Sequence, residues 1–463
     1  MIDFDIERFV RKYMTKRPES LLKADFEKYA DEMRKRIDGK RMLVVGGAGT
    51  IGSNYVKAAL RYFKPAAMYV VDIDENQLTE LTRELRSAVS SESKSKDEVE
   101  QRNCYHIPEE YVTEPIDLGS KLFDKFFKAH GPFDIVANFA ARKHVRAERD
   151  VHSIEAMCET NVFMAKKLLD LLLENPPEAF FCVSTDKAAN PVNVMGATKK
   201  LMEETIMAYA AEPRKPVAGG RCLVHGEGVS GERKGLHVVT ARFANVAFSN
   251  GSLPIGWLNR IAKKQPLSCP LGIRRFFVSP IESGELCLAA SVLADSGDIV
   301  YPKLDPDKDM IPFDVVVKDM LNDMGLGCKA CASTAEAKQE MANLVAGGRC
   351  LVTGANNQQP TTNHQSPTTN YPVEFFGSDT DGEKTFEEFY TNTDVKDEEK
   401  FVNLGVVKNA KRRPVAEVEA IFAKLHEVFD KAGATKEDVV EVLKEYLPNF
   451  NHISKGKSLD GRM

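Results

Sequence analysis

The sequence lacks the features that mark a membrane protein, a secreted scaffold or a nucleic-acid-binding protein. No apolar run approaches the ~20 residues that a membrane-spanning helix needs. The opening segment, MIDFDIERFVRKYM, has no continuous apolar stretch of the kind found in a secretory signal. Basic residues are not in excess, since 63 Lys and Arg stand against 68 Asp and Glu, for a formal net charge of -5. We therefore expect a cytoplasmic protein that binds neither nucleic acid nor a membrane.

Cysteine usage argues against both a disulfide framework and a metal centre. The nine cysteines are an odd and irregularly spaced set in a chain of 463 residues, which favours reduced thiols. Cys328 and Cys331 form one CxxC motif, but no second pair and no nearby histidine cluster completes a zinc site. We interpret them as two incidental thiols near a loop and predict no metal.

Short apolar runs alternate with amphipathic stretches from Arg41 onward, and this alternation predicts the fold. Four runs are typical of buried strands: Met42–Val45, Met68–Val71, Ile135–Ala141 and Phe180–Ser184. Strands that alternate with helical patterns predict an α/β fold on a doubly wound parallel sheet. Residues 1–40 carry apolar side chains at helical spacing, which predicts an N-terminal arm that packs on the protein or supports a homo-oligomer.

Two segments break this alternation. The octapeptide Val-Ala-Gly-Gly-Arg-Cys-Leu-Val occurs at 217–224 and again at 345–352. The second copy continues as TGANNQQPTTNHQSPTTN, a polar low-complexity tract that cannot bury much apolar surface. We interpret both copies as insertions in surface loops rather than as functional repeats.

A glycine-rich turn follows the first predicted strand. Gly46, Gly49 and Gly52 have GxxGxxG spacing, and Thr50 and Ile51 lie at the predicted start of the next helix. Such a turn lets the backbone approach a pyrophosphate closely, and the free N–H groups at the helix start stabilise the anion. These five residues are therefore predicted to bind a dinucleotide.

Further positions agree with a dinucleotide site. Asp72 ends the next apolar run, twenty residues after the last glycine of the turn, where a carboxylate can accept hydrogen bonds from the adenosine ribose. A carboxylate would repel a 2′-phosphate, so the position favours NAD, with NADP as the alternative. Asp74 could share this role or be a solvated turn residue. Asp117 is predicted to meet the adenine, and the small Ala140 and Ala141 close a strand where the cofactor could lie.

The stretch FCVSTDKAANPVNVMGATKK at 181–200 carries a family resemblance. It resembles the extended short-chain dehydrogenases/reductases and, more closely, the capsule-type nucleotide-sugar 4,6-dehydratases of polysaccharide biosynthesis that act on UDP-N-acetylglucosamine. The matching motifs are GGAGTIGS (46–53), NFAARKHV (138–145), TNV (160–162), STDKAANPVNVMGATK (184–199), RFANVAFSNGS (242–252) and RRFFVSP (274–280).

The resemblance implies a redox-neutral dehydration with tightly bound NAD that is regenerated in each turnover. NAD oxidises C4 of the sugar, water leaves across C5 and C6, and the hydride returns to C6 to give a 4-keto-6-deoxy sugar. Lys187 is implied as the base at C5 and Asp186 as the acid at the C6 hydroxyl, although this pair could also be a surface ion pair. Lys199 is implied to bind the nicotinamide ribose.

One position departs from the pattern. Met195 stands four residues before Lys199, where the superfamily usually has tyrosine, and a thioether cannot exchange the C4-hydroxyl proton. Some members of the resembled family also carry Met here. Thr185 then becomes the expected contact of the C4 hydroxyl, with a proton relay through Asp186 or water.

The resemblance also implies substrate and cofactor contacts outside this stretch. Arginine suits a diphosphate because its planar fork matches phosphate oxygens, whereas His144 could equally be a structural histidine. Asn161 is expected in the cofactor region, where it could hold a structural water. The implied substrate contacts are Lys143, His144, Asn245, Ser249, Arg274 and Arg275.

We divide the chain into five segments on these grounds. They are a helical arm (1–40), an NAD-binding Rossmann domain (41–240) with an insertion at about 217–237, a substrate-binding region (241–330), a low-complexity insertion or linker (331–370) and a C-terminal extension (371–463). The last segment has helical patterns at Val415–Phe429 and Lys436–Tyr446.

Three functions remain open at this stage. The leading hypothesis is an NAD-dependent UDP-N-acetylhexosamine 4,6-dehydratase, with inversion or retention at C5 undecided. A nucleotide-sugar 4-epimerase would use the same hydride abstraction without elimination. A non-catalytic NAD-binding module would explain the missing tyrosine, but it has no need of a buried ionisable cluster.

Overall fold

The computed structural model describes residues 4–87, 104–144, 148–211, 235–347, 369–377 and 387–453. Short π-helical turns cover 10–14 and 159–163, and a 3₁₀ turn covers 186–188. The α-helices are α1 (Ile6–Phe9), α2 (Lys23–Lys28), α3 (Ala30–Ile37), α4 (Thr50–Tyr62), α5 (Glu75–Ser87), α6 (Lys121–His130), α7 (Val151–Cys158), α8 (Met164–Leu172), α9 (Val194–Ala211), α10 (Leu253–Ala262), α11 (Pro280–Leu293), α12 (Pro306–Asp309), α13 (Phe313–Asp323), α14 (Thr334–Ala346), α15 (Val415–Asp430) and α16 (Lys436–Tyr446). The strands are β1 (Arg41–Val45), β2 (Ala67–Asp72), β3 (Glu110–Pro115), β4 (Ile135–Asn138), β5 (Ala179–Val183), β6 (Val238–Ala241), β7 (Asn245–Val246), β8 (Leu267–Leu271), β9 (Arg274–Val278), β10 (Ile299–Pro302), β11 (Met310–Pro312), β12 (Gly327–Cys331), β13 (Asn370–Gly377), β14 (Lys396–Asp397) and β15 (Leu404–Val407).

Nine of the described strands form one central sheet in the order β14-β15-β10-β6-β5-β4-β1-β2-β3. The strands from β3 to β10 pair in parallel, and β15 and β14 add antiparallel strands beyond β10. Strands β1, β4, β5 and β6 are almost wholly buried, as apolar runs covered by helices on both faces must be. The predicted doubly wound parallel Rossmann sheet is confirmed. Its order reverses between β1 and β4, where ligands of such sheets collect.

Two smaller sheets surround a second apolar core. One has the order β11-β9-β7 and the other β12-β13-β8. Trp257 and Tyr371 are buried in this core. Phe9 and Val10 of the N-terminal arm are buried with them, and Arg17 pairs with Glu282 of α11 at 2.8 Å. The arm therefore packs on its own chain.

The structure differs from the predicted segments in several places. β4 ends at Asn138, so 139–141 form a loop at the carboxyl edge of the sheet and not the end of a strand. α14 lies inside the segment 331–370 that was predicted as low complexity, because 334–346 follow a serine N-cap with a helix-forming pattern. Cys328 and Cys331 lie on β12, where Cys331 is the last residue before the bend at 332–333, and the cysteines of the described ranges are free thiols.

The later segments also share the central sheet. β10 comes from the region predicted to bind substrate, and β14 and β15 come from the predicted C-terminal extension, whose two predicted helices are present as α15 and α16. The repeated octapeptides and the insertion at about 217–237 lie outside the described residues, apart from 235–237 and 345–347.

The described ranges contain neither a membrane-spanning helix nor a metal-binding cluster. None of the helices there combines the length and apolar character needed to cross a bilayer. In the same part of the chain no group of three or more His, Cys, Asp or Glu side chains is arranged to hold a metal ion.

Candidate active site

The glycine-rich turn connects the carboxyl end of β1 to α4. Gly46 has φ +70°, and a Cβ there would stand 2.4 Å from the backbone nitrogen of Ala140. Gly49 is the N-cap of α4 and has no side chain to satisfy the first N–H groups of the helix, which begins at Thr50 and continues through Ile51 and Gly52. A Cβ at Gly49 would meet no atom nearer than the Gly46 carbonyl oxygen at 3.5 Å. The turn therefore offers open space and unsatisfied N–H donors to an anion.

Asp72 lies at the end of β2 beside this turn. Its Oδ2 accepts a hydrogen bond from the Ala48 N–H at 2.9 Å, and its Oδ1 accepts one from the Asp74 N–H at 3.1 Å. Each carboxylate oxygen keeps a lone pair for a further donor. Asp74 itself accepts from the Gln77 N–H at 3.0 Å at the start of α5, so its Oδ1 caps that helix. Asp117 is exposed in the turn before α6, where it accepts from the Gly119 N–H at 2.8 Å.

The loop after β4 lies against the glycine-rich turn. The Phe139 N–H donates to the Val45 carbonyl at 2.7 Å, which places Ala140 and Ala141 beside the turn. The side chain of Asn161, which is buried, accepts from the Arg142 N–H at 2.8 Å and donates to the Arg142 carbonyl at 3.0 Å and to Thr198 Oγ1 at 3.1 Å. Asn161 thus ties this loop to α9, and its amide is occupied by protein groups.

Three polar residues follow β5 and contact one another. Thr185 Oγ1 donates to Asp186 Oδ1 at 2.7 Å. Lys187 Nζ lies 3.1 Å from Asp186 Oδ1 and 3.2 Å from Oδ2. Asp186 is only 4% exposed, so the alternative of a surface ion pair is wrong for its carboxylate. The three residues lie at the sheet edge where α/β ligands bind, and we call them the catalytic turn after the role that the family resemblance implies for them.

Helix α9 packs behind the catalytic turn. The position of a Cβ on Gly196 lies 2.6 Å from the Lys187 carbonyl oxygen. Met195 is buried in the apolar core. Lys199 is 4% exposed and donates to the Val183 carbonyl at 3.0 Å. Burial lowers the pKa of Lys199, and electrostatic interactions with Cys182 and Glu203 raise it by a smaller amount.

A buried ion pair behind the turn was not predicted from the sequence. Arg242, 1% exposed, donates from Nε to Glu203 Oε1 at 2.9 Å and from Nη2 to Oε2 at 2.8 Å. Ser184 Oγ donates to the same Oε1 at 2.7 Å. The only sequence signal is an arginine directly after a buried strand, because such a cation needs a buried partner.

The segment RFANVAFSNGS brings predicted substrate contacts to the glycine-rich turn. The Asn250 N–H donates to Thr50 Oγ1 at 3.0 Å, and the half-buried Ser249 precedes it. The Cβ position on Gly251 is 2.7 Å from His144 Cε1. Lys143 is exposed in the same loop as His144. The structure therefore brings these predicted residues to one edge of the sheet.

The two predicted arginines separate. Arg274 is exposed and donates to the Pro306 carbonyl at 3.0 Å. Arg275 is buried, and its Nε lies 3.8 Å from Glu387 Oε1. Asn245 also donates through Nδ2 to Glu387. Glu387 is a site residue that sequence reasoning missed, since nothing in EKTFEEFY distinguishes it from a solvated carboxylate.

The parallel sheet with its reversal at β1 and β4, and the glycine-rich turn at that point, define a protein of the Rossmann class. A family model described as polysaccharide biosynthesis protein matches residues 42–409, and the chain belongs to that family. The resemblance recognised in the sequence motifs is thereby confirmed at the level of the family.

Individual relatives share a quarter to a third of their aligned residues with this chain. The chain is 32% identical to an uncharacterized membrane protein of Methanocaldococcus jannaschii over 282 residues, and this alignment covers 61% of this chain and 72% of the relative. It is 26% identical over 272 residues to a UDP-N-acetylglucosamine 4,6-dehydratase (inverting) of Campylobacter jejuni, covering 58% of this chain and 68% of the relative. Among solved structures, Pen from Bacillus thuringiensis superposes with a TM-score of 0.54 at 20% identity, over 82% of this chain and 91% of that one, a likeness of fold.

Proposed function

We propose that the protein is an NAD-dependent UDP-N-acetylhexosamine 4,6-dehydratase, with UDP-N-acetylglucosamine as its substrate. The observation that carries the proposal is the catalytic turn, in which a hydroxyl, a buried carboxylate and an amine are hydrogen-bonded in series at the carboxyl end of β5. Oxidation at C4 needs a hydroxyl contact, and elimination needs a base and an acid. The name of the Campylobacter jejuni relative supports the same reaction.

The residues at the glycine-rich turn fit a dinucleotide. The open space beside Gly49 and the uncapped start of α4 suit a pyrophosphate. Asp72 has acceptor capacity left for ribose hydroxyls, and its charge favours NAD over NADP. Asp117, Ala140 and Lys199 are proposed to contact the adenine, the nicotinamide side and its ribose. When bound, NAD accepts the hydride of sugar C4 and later supplies it to C6.

The catalytic turn handles the protons of the reaction. We propose that Thr185 Oγ1 binds the C4 hydroxyl and passes its proton to Asp186, to which it already donates at 2.7 Å. Lys187 in its neutral form takes the proton from C5, and the protonated carboxyl of Asp186 delivers a proton to the C6 oxygen, so that water leaves. When the hydride is returned to C6, the protonated Lys187 gives a proton back to C5, after exchange with solvent, and both side chains regain their starting states. The contact of 3.1 Å between Lys187 Nζ and Asp186 Oδ1 keeps the base and the acid side by side.

The substrate is proposed to lie between the catalytic turn and the loops of 143–144 and 245–251. Arg274, which is exposed, and Lys143 would meet the diphosphate. His144 and Ser249 lie near Thr50 of the phosphate-binding turn, so they are proposed to face the sugar nucleotide where it approaches the cofactor.

The test is to incubate the purified chain and NAD with UDP-N-acetylglucosamine in deuterated water and to analyse the product by mass spectrometry and proton NMR. Loss of one water with deuterium at C5 is expected, and the configuration at C5 separates inversion from retention. A C4 epimer formed without loss of water would overturn the proposal in favour of an epimerase. If the sugar is unchanged although NAD is bound, the result would favour a non-catalytic NAD-binding module over the proposed enzyme.

The Lys187→Met variant sharpens this test. Loss of a general base is expected to lower kcat by about 10²–10⁴-fold, and deuterium should no longer enter C5. Lys338→Met, on the exposed face of α14, is the matched control and should keep the wild-type rate. Equal rates in both variants would remove Lys187 from the mechanism.

A further inference from the structure

The segment 387–394, which we call the strap, lies against the back of the catalytic turn. Arg242 Nη1 donates to the Phe389 carbonyl at 2.8 Å and lies 3.5 Å from Asp394 Oδ2. The ring of Phe389 stacks on Phe276 of β9 at 5.4 Å between centroids. Glu388 accepts from Asn190, three residues after Lys187, at 3.3 Å. The strap is therefore held at several points beside the site.

Glu387 is a buried strap residue that contacts predicted substrate-binding residues. It is 6% exposed, and its Oε2 accepts the Phe276 N–H at 2.9 Å. Its Oε1 accepts from Asn245 Nδ2 and lies 3.8 Å from Arg275 Nε. Asn245 Nδ2 also donates to the Phe276 carbonyl at 3.4 Å. Because Nδ2 is committed to these acceptors, the atom that Asn245 can offer a ligand is Oδ1, which accepts hydrogen bonds.

Charged groups from two elements face Glu387. Burial and the charge of Asp186 raise the pKa of Glu387, whereas Lys187, Arg275 and the Phe276 N–H lower it, and the net result is a pKa of about 7. Asp186 and Lys187 belong to the catalytic turn, and Arg275 belongs to β9. Ionisation of Glu387 therefore changes near neutral pH and is linked to the charge state of the catalytic turn.

We propose that Glu387 is a positioning residue of the active site: it orients Asn245 so that Oδ1 faces the sugar nucleotide, and it holds Arg275 beside that amide. The strap is thus part of the substrate-binding site, although it comes from the far end of the chain. The inference rests on the proposed function, because it takes the sugar nucleotide as the ligand of Asn245.

The experiment compares Glu387→Gln with a reversed pair in the full-length protein. Glutamine turns one carboxylate oxygen into a donor, so it faces the Asn245 amide with the wrong polarity and forces that amide to rotate. The KM for UDP-N-acetylglucosamine is expected to rise roughly ten- to hundredfold, with a smaller change in kcat. The double variant Glu387→Gln/Asn245→Asp restores the hydrogen bond between the two side chains in reverse and loses only the 3.4 Å contact with the Phe276 carbonyl. It should therefore reverse much of the rise in KM. Glu399→Gln, at an exposed glutamate outside the strap, is the matched control and should keep the wild-type KM.

The pH profile gives a second readout. The wild-type KM should fall as pH rises through about 7, because the ionised Glu387 is the better acceptor for Asn245, and this step should be absent in Glu387→Gln. A KM within twofold of wild type in Glu387→Gln, or no recovery in a double variant that folds, would overturn the proposal. A lower Tm with an unchanged KM would also overturn it, since that result describes a structural role.

One measurement does not depend on turnover. The Asn245 Nδ2 signal in asparagine-labelled protein, assigned with Asn245→Asp, should shift with pH near 7 in wild type and stay constant in Glu387→Gln. If wild type neither converts UDP-N-acetylglucosamine nor binds UDP by calorimetry, the proposed function has failed, and this signal still decides whether Glu387 orients Asn245. A signal that does not move with pH would contradict the positioning role.

Discussion

The glycine-rich turn and the strap both reach the carboxyl edge of the central sheet, but different forces hold them there. At Gly46 the backbone approaches Ala140 so closely that there is no room for a side chain. The strap is held by Arg242, which is buried and also binds Glu203. The turn is thus sensitive to added volume, whereas the strap is sensitive to lost charge, and each region can be disturbed without changing the other.

The largest expected effect is on the strap. Arg242→Met leaves the Glu203 carboxylate and the Phe389 carbonyl without their buried donor, at a cost of about 3–5 kcal/mol in the free energy of unfolding. Urea unfolding measures this cost, and hydrogen exchange should show faster exchange at 389–394. Adding Glu203→Leu should recover much of the stability but not the slow exchange of the strap. A loss below about 1 kcal/mol in the single variant would mean that the pair does not hold the strap.

The glycine-rich turn gives the next effect. Gly46→Ala places a Cβ at φ +70° and 2.4 Å from the Ala140 nitrogen, and we expect a loss of about 3 kcal/mol with weaker NAD binding. Gly49→Ala is the matched control, since φ is -65° there and the nearest atom is 3.5 Å away. It should cost less than about 1 kcal/mol yet still weaken NAD binding measured by calorimetry. Unchanged affinity in Gly49→Ala would show that the open space is not the cofactor's.

Lowering the pH should weaken the ion pair that holds the strap, whereas the contacts of the glycine-rich turn do not depend on this pair. Burial by itself would raise the pKa of Glu203, but the guanidinium of Arg242 outweighs it and holds that pKa below its ordinary value of 4.5. The pair therefore stabilises the fold at pH above about 4.5, and this contribution disappears as the pH falls through the lowered pKa. Urea unfolding between pH 6 and 3 should show the loss. The free energy of unfolding should change less steeply with pH in Glu203→Gln than in the wild type. Identical pH dependence in the two proteins would show that the pair is not the source of the loss.

The smallest effect is expected in neither region but on α9, at the position of the missing tyrosine. Met195→Leu should cost less than about 1.5 kcal/mol, because the volumes are similar, and kcat should stay within about twofold, because a thioether transfers no proton. Thr185→Val is the comparison, and its kcat should fall by roughly 10²-fold or more. Both are measured as initial rates with UDP-N-acetylglucosamine. A large loss in Met195→Leu would assign Met195 a direct role.

The two regions also differ in how far they could be predicted. The turn is a local pattern: an apolar run, three glycines and an aspartate, whose meaning depends on close neighbours in the chain. The contacts of Thr185, Asp186 and Lys187 with one another were also predictable, since the three are consecutive. The role of Asp74 was harder to predict, because an aspartate in a turn can bind a ligand or cap a helix. Only the structure shows that it accepts the Gln77 N–H and so caps α5.

The contacts of the strap could not be predicted, because they join residues that are far apart in the sequence. Glu387 reads as one acidic residue among several, and only the packing of β9 and β7 against it makes it a buried acceptor for Phe276 and Asn245. The different burial of Arg274 and Arg275 could not be predicted for the same reason. Neighbouring residues of β9 point to opposite faces, so one is exposed and the other is buried beside Glu387.

The sequence by itself determined the parallel sheet, the glycine-rich turn and the catalytic turn, because hydrophobic periodicity and steric demands act over a few residues. Only the tertiary structure decided that β14 and β15 extend the same sheet and that the strap packs beside the candidate site. The reason is physical: a buried charge such as Arg242 must find partners wherever the fold supplies them. Those partners come from α9 and the strap, which the order of residues along the chain does not connect.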